Sequence, residues 1–316
     1  MRPTPRICVI GSATVDLTFR TARLPTPGET VAGHSFHRGM GGKGANQAVA
    51  AARLGGQVFF VARVGNDTFG QEALRRYEDD GIDTTFVRTD QHRPTGAAAI
   101  VVDDAAENCI IVVAGANAGL SMEDVRDASP AIQNADVVLC QLETPLDATL
   151  TAFRVARAAG VRTVLTPAAA TELPDELFRL CDLCVPNKTE MELLVGRKVE
   201  SFADVEVAAK VLRERGVRTV VVTMGSRGAL VLDDDGSTHV AAVSVNAVDP
   251  TGAGDAFTAA LALSLAAGLS LQDAARWASV VAALTVTRVG TQAAFPSRAE
   301  VEEWRSALSI TNERKI

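Results

Sequence analysis

Short, unbroken apolar runs alternate with longer helical patterns along most of this 316-residue chain, and that alternation limits the fold more than any other feature. A strand that is apolar on both sides must be covered on both faces. A largely parallel sheet with helices packed above and below does this, so the fold class is α/β with a central, mostly parallel sheet. The patterns predict strands over 6–11, 57–64, 136–142, 162–166, 183–186 and 219–223. Helices are predicted over 70–80, 146–159, 203–215, 272–287 and 297–308. With 47% hydrophobic residues the chain has ample material for such a core, and its length suits one large domain, 1–316. The longest apolar run, 258–271, is Ala-rich and broken by Ser264 and Gly268. It falls short of the ~18 residues a membrane span needs and reads as a buried helix.

Two segments break the rhythm. Val15, Leu17 and Phe19 alternate with polar residues, a Pro25-Thr26-Pro27-Gly28 turn follows, and 30–38 reads as a return strand. Later, 97–102 and 109–113 flank an acidic turn running from Asp103 to Asn108. Period-two alternation around turn residues predicts two hairpins.

Chemistry concentrates in two glycine clusters. In the run Asp249-Pro250-Thr251-Gly252-Ala253-Gly254-Asp255 a nearly side-chain-free turn opens a helical pattern and ends in a carboxylate. The unpaired amides and dipole of a helix start favour a phosphate, and a carboxylate beside them suits a hydroxyl that loses its proton as a phosphoryl group arrives. The second cluster runs from Gly39 through Gly41, Gly42, Lys43 and Gly44 to Asn46 and Gln47, with Gly55 as the stop of the helix it opens. Its spelling fits neither familiar nucleotide loop. No acidic residue ends a strand about 20 residues later, as a dinucleotide site requires, and Gly44 stands where a P-loop needs Ser or Thr. What remains is a glycine floor with two polar reachers, Lys43 and Asn46, suited to a small polyhydroxylated ligand.

Other features exclude classes. A net charge of −7 leaves no nucleic-acid footprint. The first residues lead into a strand without the apolar stretch of a secretory signal. Cys8, Cys109, Cys140, Cys181 and Cys184 lie mostly in strand-like apolar runs and read as buried reduced thiols of a cytoplasmic protein. Cys181-x-x-Cys184 has no second pair to complete a zinc site. His34 and His37 have no third ligand nearby and read as exposed strand or turn residues.

In order along nearly the whole chain, a set of motifs resembles the PfkB-type, ribokinase-like carbohydrate kinases. They are Ile10-Gly11-Ser12-Ala13-Thr14-Val15-Asp16, Pro25-Thr26-Pro27-Gly28-Glu29-Thr30, Gly41-Gly42-Lys43-Gly44-Ala45-Asn46-Gln47 and Ala114-Gly115-Ala116-Asn117. Further on come Gln141-Leu142-Glu143, Pro186-Asn187-Lys188-Thr189-Glu190, Thr223-Met224-Gly225-Ser226-Arg227-Gly228, the Asp255 turn and Val286–Gln292. The resemblance implies a three-layer sandwich with a small β-sheet lid built from segments near 14–39 and 94–114, and a homodimer formed through that lid. The glycine and Gly-Ala-Asn motifs are most similar to those of members that phosphorylate ribose.

The resemblance also implies roles. Asp255 would be the general base on the sugar's primary hydroxyl, with the amides of Gly252, Ala253 and Gly254 as the anion hole. Thr14, Asp16, Gly42, Lys43, Asn46 and Glu143 would hold the sugar. Asn187, Thr223, Gly225, Ser226, Gly228, Gly254 and Ser279 would line ATP. Asn187 and Glu190 would arrange Mg2+, although the same two residues also spell a helix capping box. A K+ ion would lie against Asp249 and the backbone near Thr251, Thr285, Arg288 and Gly290. The chain departs from the family pattern at Thr14, where some relatives that phosphorylate ribose carry Asn, at Thr166-Pro167-Ala168-Ala169-Ala170, at Lys188, and at Ala294, where some relatives carry a hydroxyl. The activity implied is ATP-dependent phosphorylation of D-ribose at O5. A kinase for 2-deoxyribose, another small sugar or a nucleoside is the enzymatic alternative, and a sugar-binding regulator the non-catalytic one. A binder has no use for a base beside an anion hole.

Overall fold

The computed structural model describes residues 4–105, 107–168 and 172–313, with side chains through Ser306. Its strands are β1 (Arg6–Ile10), β2 (Thr14–Thr21), β3 (Gly33–Gly41), β4 (Gln57–Gly65), β5 (Asp83–Asp90), β6 (Gly96–Asp103), β7 (Asn108–Val113), β8 (Val137–Gln141), β9 (Arg162–Thr166), β10 (Leu183–Cys184), β11 (Thr219–Thr223), β12 (Ala229–Asp233) and β13 (Gly236–Val240). The helices are α1 (Lys43–Arg53), α2 (Thr68–Asp79), α3 (Met122–Asp127), α4 (Ser129–Asn134), α5 (Leu146–Ala158), α6 (Asp175–Leu180), α7 (Lys188–Val195), α8 (Phe202–Glu214), α9 (Ala253–Ala266), α10 (Leu271–Thr285) and α11 (Arg298–Glu313).

Among the described residues the main sheet has the order β13-β12-β11-β10-β9-β8-β1-β4-β5. It is parallel from β11 to β5, and β12 and β13 extend it antiparallel at one edge. The strands alternate between two cores. Ile7 and Val9 of β1 face a cluster with α1, α9 and α10, whereas Cys8 and Ile10 face one with α5, α6 and α8. This two-sided burial is what the unbroken apolar runs require.

The two hairpins form and then join. β2 pairs antiparallel with β3, β6 pairs antiparallel with β7, and β2 and β6 run side by side in parallel to make one sheet, β3-β2-β6-β7. Its outer face is apolar and open: Phe36 is 58% exposed and Ile111, on the same face, 64%.

Several expected boundaries shift. The run 258–271 is two helices, since α9 stops at Ala266 and Gly268 turns the chain at φ 82° before α10. Gly39 and Gly41 belong to β3, so the second glycine cluster spans a strand end and a helix start. Only Leu183–Cys184 of 183–186 pairs as a strand. Cys109 is exposed on β7 and not buried, because the lid strand that carries it has solvent on its outer face; the other four thiols are buried as expected. His34 and His37 are exposed on β3.

Candidate active site

The chain reverses its direction of sheet growth at β1. It adds β4 and β5 on one side, then returns to place β8 on the other. In open α/β sheets such a switch point leaves a crevice beyond the carboxyl ends of the strands. Here the loop after β1, the loop after β8 and the first turn of α1 meet in that crevice.

Glycine makes the meeting close enough. Gly42 caps α1 at φ 88°, and a Cβ there would stand 2.8 Å from the Ser12 carbonyl oxygen. At Gly44 a Cβ would come within 2.6 Å of the Gly11 backbone. The Ala45 amide donates to the Ser12 carbonyl at 2.8 Å and fixes the contact. Gly41 leaves room for the Asp16 carboxylate, which a Cβ would overlap.

Asp255 sits in the first turn of α9, across from α1. Gly252 opens that helix at φ 77°, where a Cβ would press on Thr291 and the Phe295 ring. The Ala253 amide donates to Pro250 at 3.2 Å, and the helical bonds begin with Ala256 to Gly252 at 2.9 Å. The amides of Gly254 and Asp255 therefore precede the first helical bond, whereas the Ala253 amide, expected in the anion hole, is turned to the Pro250 carbonyl. A Cβ on Gly254 would meet no protein atom within 4 Å. It would instead fill a cavity of about 140 Å³ lined by Lys43, Thr166, Asn187, Glu190, Thr223, Gly252, Gly254 and Asp255.

The Asp255 carboxylate is 6% exposed. Asn46 Nδ2 donates to its Oδ2 at 2.9 Å and Gln47 Nε2 to its Oδ1 at 3.1 Å. Burial pushes its pKa up to about 6, against the opposing pull of the Lys43 charge and the two amides. For Lys43 burial acts downward, but Asp255, Glu143 and Glu190 outweigh it, so the ammonium is held above its usual range.

A carboxylate pair, Asp16 and Glu143, stands on the lid side. Burial raises Asp16 to about 6, with Thr14 lowering and Glu143 adding to the rise. Thr14 Oγ1 lies 3.3 Å from Asp16 Oδ1. Glu143 accepts from Ser12 Oγ at 2.5 Å and from the Lys43 amide at 3.0 Å. Asn117, from the Gly-Ala-Asn motif, both donates to and accepts from the Ala13 backbone at 2.8 Å and so pins the loop carrying these groups.

The remaining expected residues divide. Asn187 and Glu190 form a reciprocal capping box at 2.8 and 2.9 Å on α7 while lining the cavity, so the cap and the cavity use the same pair. Thr223 lines the cavity, Ser226 is exposed just beyond it in sequence, and Gly228 holds φ 89° where a Cβ would strike the Val240 carbonyl. Ser279 is buried on α10. Asp249 accepts the Thr251 and Gly290 amides, both at 2.9 Å. Thr285 donates to Val281 at 2.9 Å, Arg288 pairs with Glu300 at 2.7 Å, and Ala294 is fully buried. Thr166 Oγ1 accepts from Gln47 at 3.1 Å. Ala169 and Ala170 lie outside the described residues.

Sequence reasoning gave no role to Ser12, Gln47, Gln141 or Gln292. All four are buried and hydrogen-bonded behind the carboxylates. A signal existed: Gln47 and Gln141 are polar residues within apolar periodic runs, and a buried amide needs partners.

Comparison with known proteins gives the family. Residues 4–298 match the model of the pfkB family carbohydrate kinases. A ribokinase of Mus musculus is 40% identical over 300 residues, covering 93% of each chain. A deoxyribokinase of Salmonella typhi is 38% identical, covering 96% of this chain and 99% of the other. The structure of Arabidopsis thaliana ribokinase complexed with ribose and ATP superposes with a TM-score of 0.89 at 32% identity, covering 95% of this chain and 98% of that one. This chain therefore belongs to the pfkB family of carbohydrate kinases, with the ribokinase-like α/β fold.

Proposed function

We propose that the protein transfers the γ-phosphoryl group of ATP to O5 of D-ribose, with Asp255 as general base. The observation that carries this reading is the placement of Asp255: a buried carboxylate, raised to about 6, beside the unpaired amides of a helix start and facing a cavity. A base working near neutral pH needs to be ionised yet still basic, and burial against Lys43 gives that compromise. As the O5 proton passes to Asp255, the amides of Gly254 and Asp255, with Lys43, offset charge on the arriving phosphoryl group. Asp16 and Glu143 accept from sugar hydroxyls, and Lys43 donates. Asn46 gives its amide to the base and belongs to both sets. ATP lies along Asn187 and the Thr223–Gly228 turn; that a relative of the same fold is complexed with ribose and ATP supports a nucleotide site in this fold.

Two ions enter this reading. Glu190 lines the cavity with its Oε2 engaged by the Asn187 amide, leaving Oε1 for a cation. Among the described residues no three acidic, His or Cys side chains gather as a metal cluster. One carboxylate and water fit Mg2+, which keeps most of its hydration and neutralises phosphate charge when bound. The Asp249 loop fits K+ less completely, since Ala294 offers no side-chain oxygen; Asp249 and the carbonyls near Thr251, Thr285, Arg288 and Gly290 would hold it and brace the turn before Asp255. Replacing potassium by sodium is expected to slow turnover several-fold, and equal initial rates would remove the ion from this reading.

The deoxyribose alternative has an observation of its own. Thr14 turns its hydroxyl to Asp16, leaving the sugar side without an amide at that position, and deoxyribokinases are among the relatives. A coupled ADP-release assay over a panel of pentoses, nucleosides and hexoses, with magnesium and potassium, tests both readings. Turnover of none of them would sink the kinase assignment for this site.

The open apolar face of the lid, with Phe19 and Phe36 stacked at 5.0 Å and Ile111 exposed on the same face, supports pairing with a second copy's lid. Sedimentation at micromolar concentration should give a dimer; a monomer would contradict the pairing.

A further inference from the structure

We infer that Gln47 is a positioning residue that acts through Asp255, as the inner link of a chain of amides that holds the carboxylate in place and ionised. This deepens the reading of Asp255 as the base and rests on it. Gln141 Nε2 donates to Gln47 Oε1 at 2.6 Å, and Gln47 Nε2 donates to Asp255 Oδ1 at 3.1 Å. From the opposite side Gln292 Nε2 donates to Asn46 Oδ1 at 3.1 Å, and Asn46 Nδ2 donates to Asp255 Oδ2 at 2.9 Å. Both carboxylate oxygens thus receive an N–H whose own carbonyl is engaged further out.

The polarity of these chains is set by the acid. A carboxylate only accepts, so each amide must turn its NH2 inward. Turning Gln47 around would aim an oxygen at Asp255 and another NH2 at Gln141. Gln141 accepts this order at a cost: its Oε1 is buried without a partner, pressed where a Cβ on Gly11 would stand 1.9 Å away. A protonated Asp255 would face two N–H donors and no acceptor. The charged groups facing Asp255 are Lys43 from α1 and Glu143 from the loop after β8, with Glu190 of α7 acting on Lys43. Gln47 is fully buried and absent from the cavity lining, so it touches the base and not the ligand space.

The test is the pH profile of kcat at saturating sugar and ATP, for Gln47→Met and Gln47→Glu. Met keeps length and removes the donor; Glu sets a second carboxylate against Asp255. Both are expected to move the acid limb upward by about one pH unit and to lower plateau kcat about tenfold, with ribose binding by calorimetry within a few-fold of wild type. An acid limb that stays at the wild-type pH would overturn the proposal. Should neither variant fold, Gln141→Met removes only the outer donor and decides the matter: a smaller upward move supports the chain, and no move overturns it. Asp255→Asn separates the two layers. If it retains activity, the base reading fails; if it is dead while the Gln47 limb is unmoved, only the positioning role fails.

Discussion

Asp255→Asn is expected to lower kcat by at least ~10² while leaving ribose affinity within a few-fold. The amide keeps the shape and can still lie against Asn46 and Gln47, although one N–H must then face another. What it loses is proton acceptance in the transition state, which is worth 10²–10⁴ in rate. Steady-state kinetics and calorimetry on the same preparation separate the two quantities, since an interaction made only in the transition state lowers kcat and kcat/KM together. Turnover within a few-fold of wild type would remove Asp255 from the role.

The same residue fixes the direction of a pH effect. The base works ionised, and its pKa is raised to about 6. Rate at saturating sugar therefore holds on the alkaline side and falls as pH drops through about 6, the protonated form being inactive. Asp16 is also raised to about 6. With limiting sugar it titrates too, because a protonated Asp16 accepts fewer hydroxyl hydrogens. The acid limb of kcat/KM should accordingly be steeper than that of kcat. Coincident limbs of equal slope would show that only one of the carboxylates matters in that range.

How far the sequence carried this site follows from which forces write themselves locally. Two-sided burial produces unbroken apolar runs, so β1, β4, β8, β9 and β11 were legible to within two residues at either end. Backbone-on-backbone approach demands glycine, so the α1 and α9 entries were legible as ligand floors. The amphipathic edge was less so. β5 is half-buried along most of its length, with Thr85 and Thr89 exposed, and β13 is exposed over most of its length, so neither carries an apolar run to announce it. β12 does, with Ala229, Leu230, Val231 and Leu232 buried, but nothing local says that it turns back antiparallel and takes the sheet past its parallel part. The joining of the two hairpins into one sheet depends on β2 meeting β6 across more than 70 residues of chain, which no local pattern encodes. The amide chains from Gln141 through Gln47 and from Gln292 through Asn46 were only hinted at by polar residues inside apolar runs, because each link bridges separate elements and no local pattern names its partner. Asn187 and Glu190 show the reverse case, where one short motif satisfies the helix start and faces the cavity at once.

Asp16→Ala is expected to lower kcat/KM for ribose by ~10²–10⁴, because hydrogen bonds to a charged group contribute about 1.5–3 kcal/mol each and Asp16 can accept two from vicinal hydroxyls. The argument extends to sugar choice. Asp16 is partly buried over Gly41, where the Thr14 hydroxyl is its one side-chain donor among the described residues. A site built to hydrogen-bond a hydroxyl rejects the analogue without it, since its own buried group is then left unpaired. Wild type should favour ribose over 2-deoxyribose by at least ~10-fold in kcat/KM, a gap of about 1.4 kcal/mol. Thr14 narrows that gap: its hydroxyl points to Asp16 at 3.3 Å and helps satisfy the carboxylate without the sugar. Thr14→Asn places an amide there with donors to spare for the sugar and should widen the preference, while Asp16→Ala should erase it. Competition between the two sugars in one reaction reads the ratio directly. Equal kcat/KM values in the wild type, unchanged in Thr14→Asn, would mean that Asp16 does not read the 2-hydroxyl, and would turn the assignment toward the deoxy sugar.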